Sequence, residues 1–226
     1  MKRNLLARAA LLCMLLLAAC VSANPRIPSQ TSQLYSLGQE LWNSANSAGA
    51  DVPATTGLPA TYAEFKSRCQ SAATSPEGAV SMYFDAVFCY LEPRRRAEAA
   101  KMLRYIMHAD AGWERSQRYA TFVRRLRDPS RHYIFKSFAA GTSPENGYAM
   151  SPQSYRLVFS GRSRESDYTR IFLRSSGADS RRIVWVRQYQ DGLWYVINNA
   201  DTYLDVRAPR TAGSEHSHDA DYDGTY

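Results

Sequence analysis

An acidic side chain inside an apolar stretch is the first candidate for chemistry in this sequence. Asp85 lies near Ser81, on the flank of the apolar face of a predicted helix over 76–91. If that flank faces a pocket, burial raises the pKa of the carboxyl group toward the range in which a general base works. The alternative is an ordinary solvated or salt-bridged acid. Ser81 and Asp85 are therefore candidate pocket residues, and no residue is assigned a catalytic role.

The N-terminus carries the most specific motif of the chain. Met1-Lys2-Arg3 is followed by an apolar run over 9–17 that is too short to span a membrane, a pattern typical of a signal peptide. Leu17-Ala18-Ala19-Cys20 then resembles the lipobox of bacterial lipoproteins. The resemblance implies that Cys20 receives a diacylglycerol on its sulfur, becomes the first residue after cleavage and is acylated on its amine. The alternative is an ordinary secretory signal cut near Ala19 or Ala23, with Cys20 incidental.

The resemblance also implies a compartment. Acyl chains stabilise membrane binding by about 0.8 kcal/mol per buried CH₂ group, so a tri-acylated Cys20 anchors the chain to a membrane without a transmembrane helix. Val21, rather than Asp, follows Cys20, which by resemblance to Gram-negative sorting rules favours the outer membrane, facing the periplasm. The net charge of +7 falls to +4 once the signal peptide is removed. A weak charge and this compartment argue against nucleic acid as a partner.

Two cysteines remain in the predicted mature chain outside the anchor. Cys69 and Cys89 form an even pair in an oxidising compartment, so the sequence predicts a disulfide between them. Closing that loop stabilises the fold by roughly 3 kcal/mol in the chain-entropy view. The alternative is two buried free thiols. No neighbouring His or Cys completes a metal site with them, so we expect no metal here.

Composition divides the chain into four segments. We expect a lipoprotein signal peptide over 1–19, a lipidated Cys and flexible tether over 20–60, a globular domain over 61–208 and a disordered tail over 209–226. The tail holds His216 and His218 among several acids, which could bind a divalent metal loosely or simply remain solvated.

Periodicity predicts helices first and strands afterwards. The helices are a first one beginning near Tyr62, then 76–91, 94–108 and 114–127. His108, at the end of the third, is expected to cap that helix or to lie exposed on the surface. The candidate strands are 132–138, 154–160, 168–174, 182–189, 193–198 and 202–207, and Asp191-Gly192 predicts a hairpin. Helices followed by an antiparallel meander indicate an α+β fold, with N-terminal helices packed on a curved antiparallel sheet.

Two segments carry a second resemblance. The helix SPEGAVSMYFDAVF and the hairpin VWVRQYQDGLWYVI resemble the nuclear transport factor two-like superfamily. The resemblance implies a sheet curled around helices into a cone with a pocket, near which Asp85 would lie. Members usually place a strand pair before the third helix, and this sequence predicts none there. The fold hosts both enzymes and binding modules, so it does not fix a function.

The strands also carry aromatic side chains at spacings that could bind a ligand. Trp185 and Tyr189 fall on one face of their strand. If that face is exposed, the two rings form a platform for sugar rings or peptides; if it is buried, they belong to the core.

Taken together, the sequence favours a binding protein over an enzyme. It contains no P-loop, no G-x-S-x-G, no H-E-x-x-H and no C-x-x-C motif, and it implies no cofactor. The leading interpretation is a cell-envelope lipoprotein that binds a protein or cell-wall partner. One alternative is a small-ligand binder, or a hydrolase- or isomerase-type enzyme, with a cone-shaped pocket near Asp85. The other is a structural component of an envelope complex.

Overall fold

The computed structural model describes residues 57–210, in which a helical half precedes an antiparallel sheet. This confirms the predicted α+β class. The lipobox with Cys20, most of the tether and the tail with His216 and His218 lie outside the described residues. The helices are α1 Tyr62–Ala72, α2 Pro76–Leu91, α3 Arg96–Ile106, α4 Ala120–Arg127 and α5 His132–Lys136; the strands are β1 Phe159–Arg164, β2 Thr169–Leu173, β3 Arg182–Gln188 and β4 Trp194–Asn198.

Helix α2 is the centre of the core. Its start follows the sequence signal: the Ser75 side chain accepts a hydrogen bond from the N–H of Gly78, and Pro76 occupies the first turn. Ser81 and Leu91 are the only residues of this helix that are not buried. The sequence predicted a single apolar face, but α2 is covered on all sides because helices pack on one side of it and the sheet on the other.

Gly78 allows the start of α2 to approach the end of α1. A Cβ atom at this position would lie 1.8 Å from the carbonyl oxygen of Ala72. The helices meet so closely here that only glycine fits without a shift of backbone.

The four strands form an antiparallel meander in the order β1-β2-β3-β4. The predicted hairpin at Asp191-Gly192 joins β3 to β4, and Gly192 supplies the left-handed turn residue with φ of +80°. One face of the sheet is buried against the helices through apolar side chains, namely Ile171, Leu173, Val184, Val186 and Val196. The opposite face of β2 and β3 is directed outward.

Four predicted elements differ from the structure. Residues 132–136 form α5 instead of a strand, because the Asp128 side chain accepts the N–H of Ser130 and sets up a helical turn immediately before them. Their aromatic and β-branched residues favoured a strand locally, and tertiary packing overrode that preference. Strand β1 begins at Phe159, later than predicted; residues 200–203 form a 3₁₀ turn instead of a strand; and 114–127 is two 3₁₀ turns followed by α4.

Within residues 57–210, no helix combines the length and the apolar character needed to cross a membrane. Among the same residues, no group of three or more His, Cys, Asp or Glu side chains is arranged to hold a metal ion.

Candidate functional site

The end of α3 places a histidine in a strained backbone conformation. The N–H of His108 donates to the carbonyl oxygen of Tyr105 at 3.0 Å, and the N–H of Ala109 donates to that of Arg104 at 2.9 Å. These two bonds form the Schellman arrangement, whose left-handed position is usually occupied by glycine. His108 occupies it with φ of +47°, at a cost of roughly 1 kcal/mol relative to glycine.

The imidazole of His108 lies against two tyrosines of the β3–β4 hairpin. It stacks on the ring of Tyr189, with centroids 4.4 Å apart, and the ring of Tyr195 meets it edge-on at 5.4 Å. The hydroxyl of Tyr195 donates to Asp191 Oδ2 at 2.6 Å, and this bond lowers the pKa of Asp191. The turn carboxylate therefore fixes the tyrosine against which His108 packs.

Two cavities meet at His108, and we call them together the His108 cleft. Residues 108–111 line both of them. One lobe, of about 410 Å³, extends toward Arg118, Arg187 and Tyr189. The other, of about 680 Å³, extends toward Tyr62, Lys101, Arg104, Tyr105 and Tyr195. The cleft therefore combines aromatic rings with several cationic side chains and one acid, Asp110, which lines both lobes. Because the cations outnumber this acid, the composition is suited to a ring-containing anionic ligand.

A hydroxyl group in the smaller lobe has no internal hydrogen bond. Ser116 lines this lobe, and its Oγ atom is buried without a hydrogen-bond partner in the described part of the chain. Buried polar atoms are rarely left unpaired, so this one is a candidate ligand contact. In the same part of the chain, no hydroxyl or thiol is hydrogen-bonded to the imidazole of His108, which is the arrangement that activates a nucleophile. The geometry favours binding.

The structure separates the two predicted aromatic residues by their surroundings. Tyr189 lines the His108 cleft, whereas Trp185 lies outside it and stacks on Tyr168, with centroids 4.8 Å apart and planes 3° from parallel. Trp185 and Tyr189 are both half-buried, so they are neither fully core nor fully exposed.

The predicted pocket residues Ser81 and Asp85 do not line the His108 cleft; Ser81 is half-buried and Asp85 is buried. Asp85 is 3% exposed, and the hydroxyl of Tyr155 donates to its Oδ1 at 2.6 Å. Burial raises the pKa of Asp85 to about 6, although the hydrogen bond from Tyr155 and the charge of Arg68 oppose that shift. Ser81 donates its hydroxyl to the carbonyl oxygen of Glu77 within the helix. A catalytic role for Asp85 stays a prediction.

In the structure Cys69 and Cys89 are free, buried thiols. The disulfide between them stays a prediction. The two residues lie on the neighbouring helices α1 and α2, and the thiol of Cys89 donates to the carbonyl oxygen of Pro59 at 3.6 Å. Burial raises the pKa of each thiol to about 12, which disfavours the reactive thiolate.

Sequence reasoning missed the importance of His108. It expected the His108 side chain either to cap the helix or to lie exposed on the surface. The side chain is exposed, and the bonds that close the helix end come from the backbone. The available signal was the absence of glycine or asparagine after the end of α3, together with Tyr189 and Tyr195 on either side of a predicted turn. No local pattern shows that the hairpin folds back onto the helix end.

Fold and site together define a small α+β domain with an open cleft lined by aromatic and basic side chains. The chain belongs to the family described as "Domain of unknown function (DUF6935)", whose model matches residues 57–210. No curated protein and no solved structure matches the chain. The resemblance to the nuclear transport factor two-like superfamily and the lipobox resemblance both stay predictions.

Proposed function

We propose that this protein is a lipoprotein of the bacterial cell envelope, anchored through Cys20, whose domain binds an envelope ligand in the His108 cleft. The lipobox-like tetrapeptide Leu17-Ala18-Ala19-Cys20 supports the anchor. The outer membrane, with the domain facing the periplasm, is the favoured location because Val21 follows the anchor. The domain is a binding module for a cell-wall or other envelope partner.

The observation that carries the binding role is the strained backbone of His108. Glycine would occupy this left-handed position without strain, yet the chain places a histidine there, with its ring exposed and shared by both lobes. Backbone strain at a residue in an open cleft is typical of a functional site, where the side chain contacts a ligand. The alternative pocket near Asp85 gains no such support, because that carboxylate is buried.

The anchor is tested by fractionation and labelling in a Gram-negative host. The full chain is expected in the membrane fraction and to incorporate labelled palmitate, whereas Cys20→Ser is expected to incorporate none. Palmitate incorporation by Cys20→Ser, or a soluble unacylated wild type, contradicts the anchor.

The cleft is tested with two variants of His108 in the full chain. His108→Gly removes the ring and relieves the strain, so its free energy of unfolding is expected to equal or exceed that of wild type by up to about 1 kcal/mol. His108→Asn removes the stacking ring but tolerates the left-handed backbone. Both are expected to weaken co-sedimentation with purified peptidoglycan sacculi or lipopolysaccharide. Unchanged binding by both variants contradicts the cleft as the site.

A further inference from the structure

The outward face of the sheet carries aromatic and arginine side chains next to the His108 cleft. Along β2, Thr169, Ile171 and Leu173 are buried, so Arg170 and Phe172 lie on the opposite face. These two residues pair with Trp185 and Ile183 of β3, which therefore share that outward face.

Flat rings are available on this face. Tyr168 and Trp185 stack almost parallel, and both are half-buried, so part of the pair remains accessible. The guanidinium of Arg181 lies 4.5 Å from the ring centroid of Phe172. Stacked rings held in this way are suited to contacting the apolar faces of other rings, including sugars.

This surface is continuous with the cleft. Arg187 follows Trp185 by two residues on the outward face of β3, and it also lines the smaller lobe with Tyr189. Tyr189 follows Trp185 by four positions, a span of about 13 Å in an extended strand. We call this surface, made of Tyr168, Trp185, Arg187 and Tyr189, the aromatic track.

The charge along the track is positive and oriented. The Nε of Arg187 donates to the carbonyl oxygen of Asp167, and Nη2 of Arg118 donates to that of Ile197. Within residues 57–210, no carboxylate forms an ion pair with Arg118, Arg181 or Arg187. Backbone carbonyls hold the guanidinium groups of Arg118 and Arg187, and that of Arg181 lies over the ring of Phe172. Guanidinium groups held without a carboxylate partner are suited to pairing with anions.

We propose that the ligand of the His108 cleft is a linear acidic glycan, and that its chain continues from the cleft past Arg187 onto the Tyr168–Trp185 pair. This inference rests on the proposed function and adds the class of ligand. The rings stack on sugar faces, and the arginines pair with the carboxylates of successive units. A polymer, unlike a single small molecule, contacts the cleft and the stacked pair at once.

The test measures the affinity of the full chain for defined-length oligouronates by calorimetry. The octasaccharide is expected to bind about tenfold more tightly than the disaccharide, because it reaches the stacked pair. Tyr168→Ala and Trp185→Ala are expected to remove that gain and leave disaccharide binding unchanged. His108→Asn is expected to weaken both ligands.

Two controls separate structure and charge from recognition. Arg187→Ala is expected to weaken the octasaccharide about tenfold, whereas Arg124→Ala, an exposed arginine of α4 that lies outside the cleft lining, is expected to leave it unchanged. Thermal melting checks that each variant is folded, and Tyr168→Ala, placed just before β2, serves if Trp185→Ala unfolds.

The outcomes distinguish this inference from the proposed function. If short and long oligouronates bind with equal affinity, and Trp185→Ala and Tyr168→Ala do not change it, the aromatic track is not part of the binding site. The proposed binding in the His108 cleft then still stands. No binding of oligouronates, or equal binding of neutral oligosaccharides, overturns the acidic glycan. Tighter binding of oligothymidylate assigns the surface to single-stranded nucleic acid and also overturns it.

Discussion

Asp85 makes the stability of this domain depend on pH in an unusual direction. Its carboxyl group is almost fully buried, and burial raises its pKa from 3.8 to about 6. Between these two values the unfolded chain has released the proton while the folded chain still holds it. The unfolded state therefore binds fewer protons, and the free energy of unfolding falls as the pH rises.

The size of this loss follows from the shift. Each pKa unit corresponds to roughly 1.4 kcal/mol, so the free energy of unfolding falls by about 3 kcal/mol between about pH 4 and pH 6 and is flat above that range. Asp85→Asn abolishes this loss of stability because an amide does not titrate in this range. Its amide oxygen can still accept the hydrogen bond from the hydroxyl of Tyr155. The variant should therefore be more stable than wild type at neutral pH, but by about 1 kcal/mol or more less than this loss if the amide N–H groups find no acceptor.

The assay is urea unfolding of the full chain, followed by circular dichroism at several values between about pH 4 and pH 7. Other acids titrate equally in both proteins, so the difference between wild type and Asp85→Asn isolates Asp85. That difference is expected to grow in favour of the variant as the pH rises. Tyr155→Phe removes a bond that lowers the pKa of Asp85, so it should move the transition upward in pH. A wild-type-to-variant difference that is constant over this range refutes the reasoning.

Two further predictions concern other parts of the interior. Cys69 and Cys89 should resist alkylation by iodoacetamide in the native protein, because both thiols are buried and the pKa of each is raised to about 12. After unfolding without reductant, mass spectrometry should show two labels. Rapid labelling of the native protein, or no label after unfolding, contradicts the free, buried thiols. Gly78→Ala should lower the free energy of unfolding by about 3 kcal/mol or more, because its Cβ meets the Ala72 carbonyl. Gly141→Ala, where φ is +81° and the space is open, should cost only about 1 kcal/mol of backbone strain, and equal losses in the two variants would contradict the steric argument.

The sequence predicted the fold wherever the hydrophobic periodicity of a segment agreed with the capping or turn residues at its ends. Helix α2 has a capping serine, a proline and helical periodicity at its start, and its predicted bounds of 76–91 match the structure. The β3–β4 hairpin has Asp191-Gly192 between two alternating runs, and it too was confirmed. The strand predicted over residues 132–136 was wrong because its strand-forming side chains follow a turn that imposes a helix.

The candidate site was less accessible because it depends on contacts distant in sequence. Alternation grouped Trp185 with Tyr189, but it could not show their different partners, Tyr168 and His108, which depend on β-sheet register and on helix-to-hairpin packing. The acidity of Asp85 was visible in the sequence, but its burial depends on how completely the sheet and helices enclose α2. A resemblance to a cone-shaped fold does not specify which end of a helix meets a cavity.

Asp85 and His108 both cost the folded state free energy, and they differ in whether a ligand can reach the side chain. The penalty at Asp85 is the larger, about 3 kcal/mol at neutral pH, but its carboxylate is enclosed and hydrogen-bonded to Tyr155, so no ligand reaches it without opening the core. The strain at His108 is only about 1 kcal/mol, but its ring is exposed and lies between two lobes. A cost at an accessible position can be recovered on binding, whereas one sealed inside the core cannot. The smaller departure is therefore the better guide to function, and it points to the cleft.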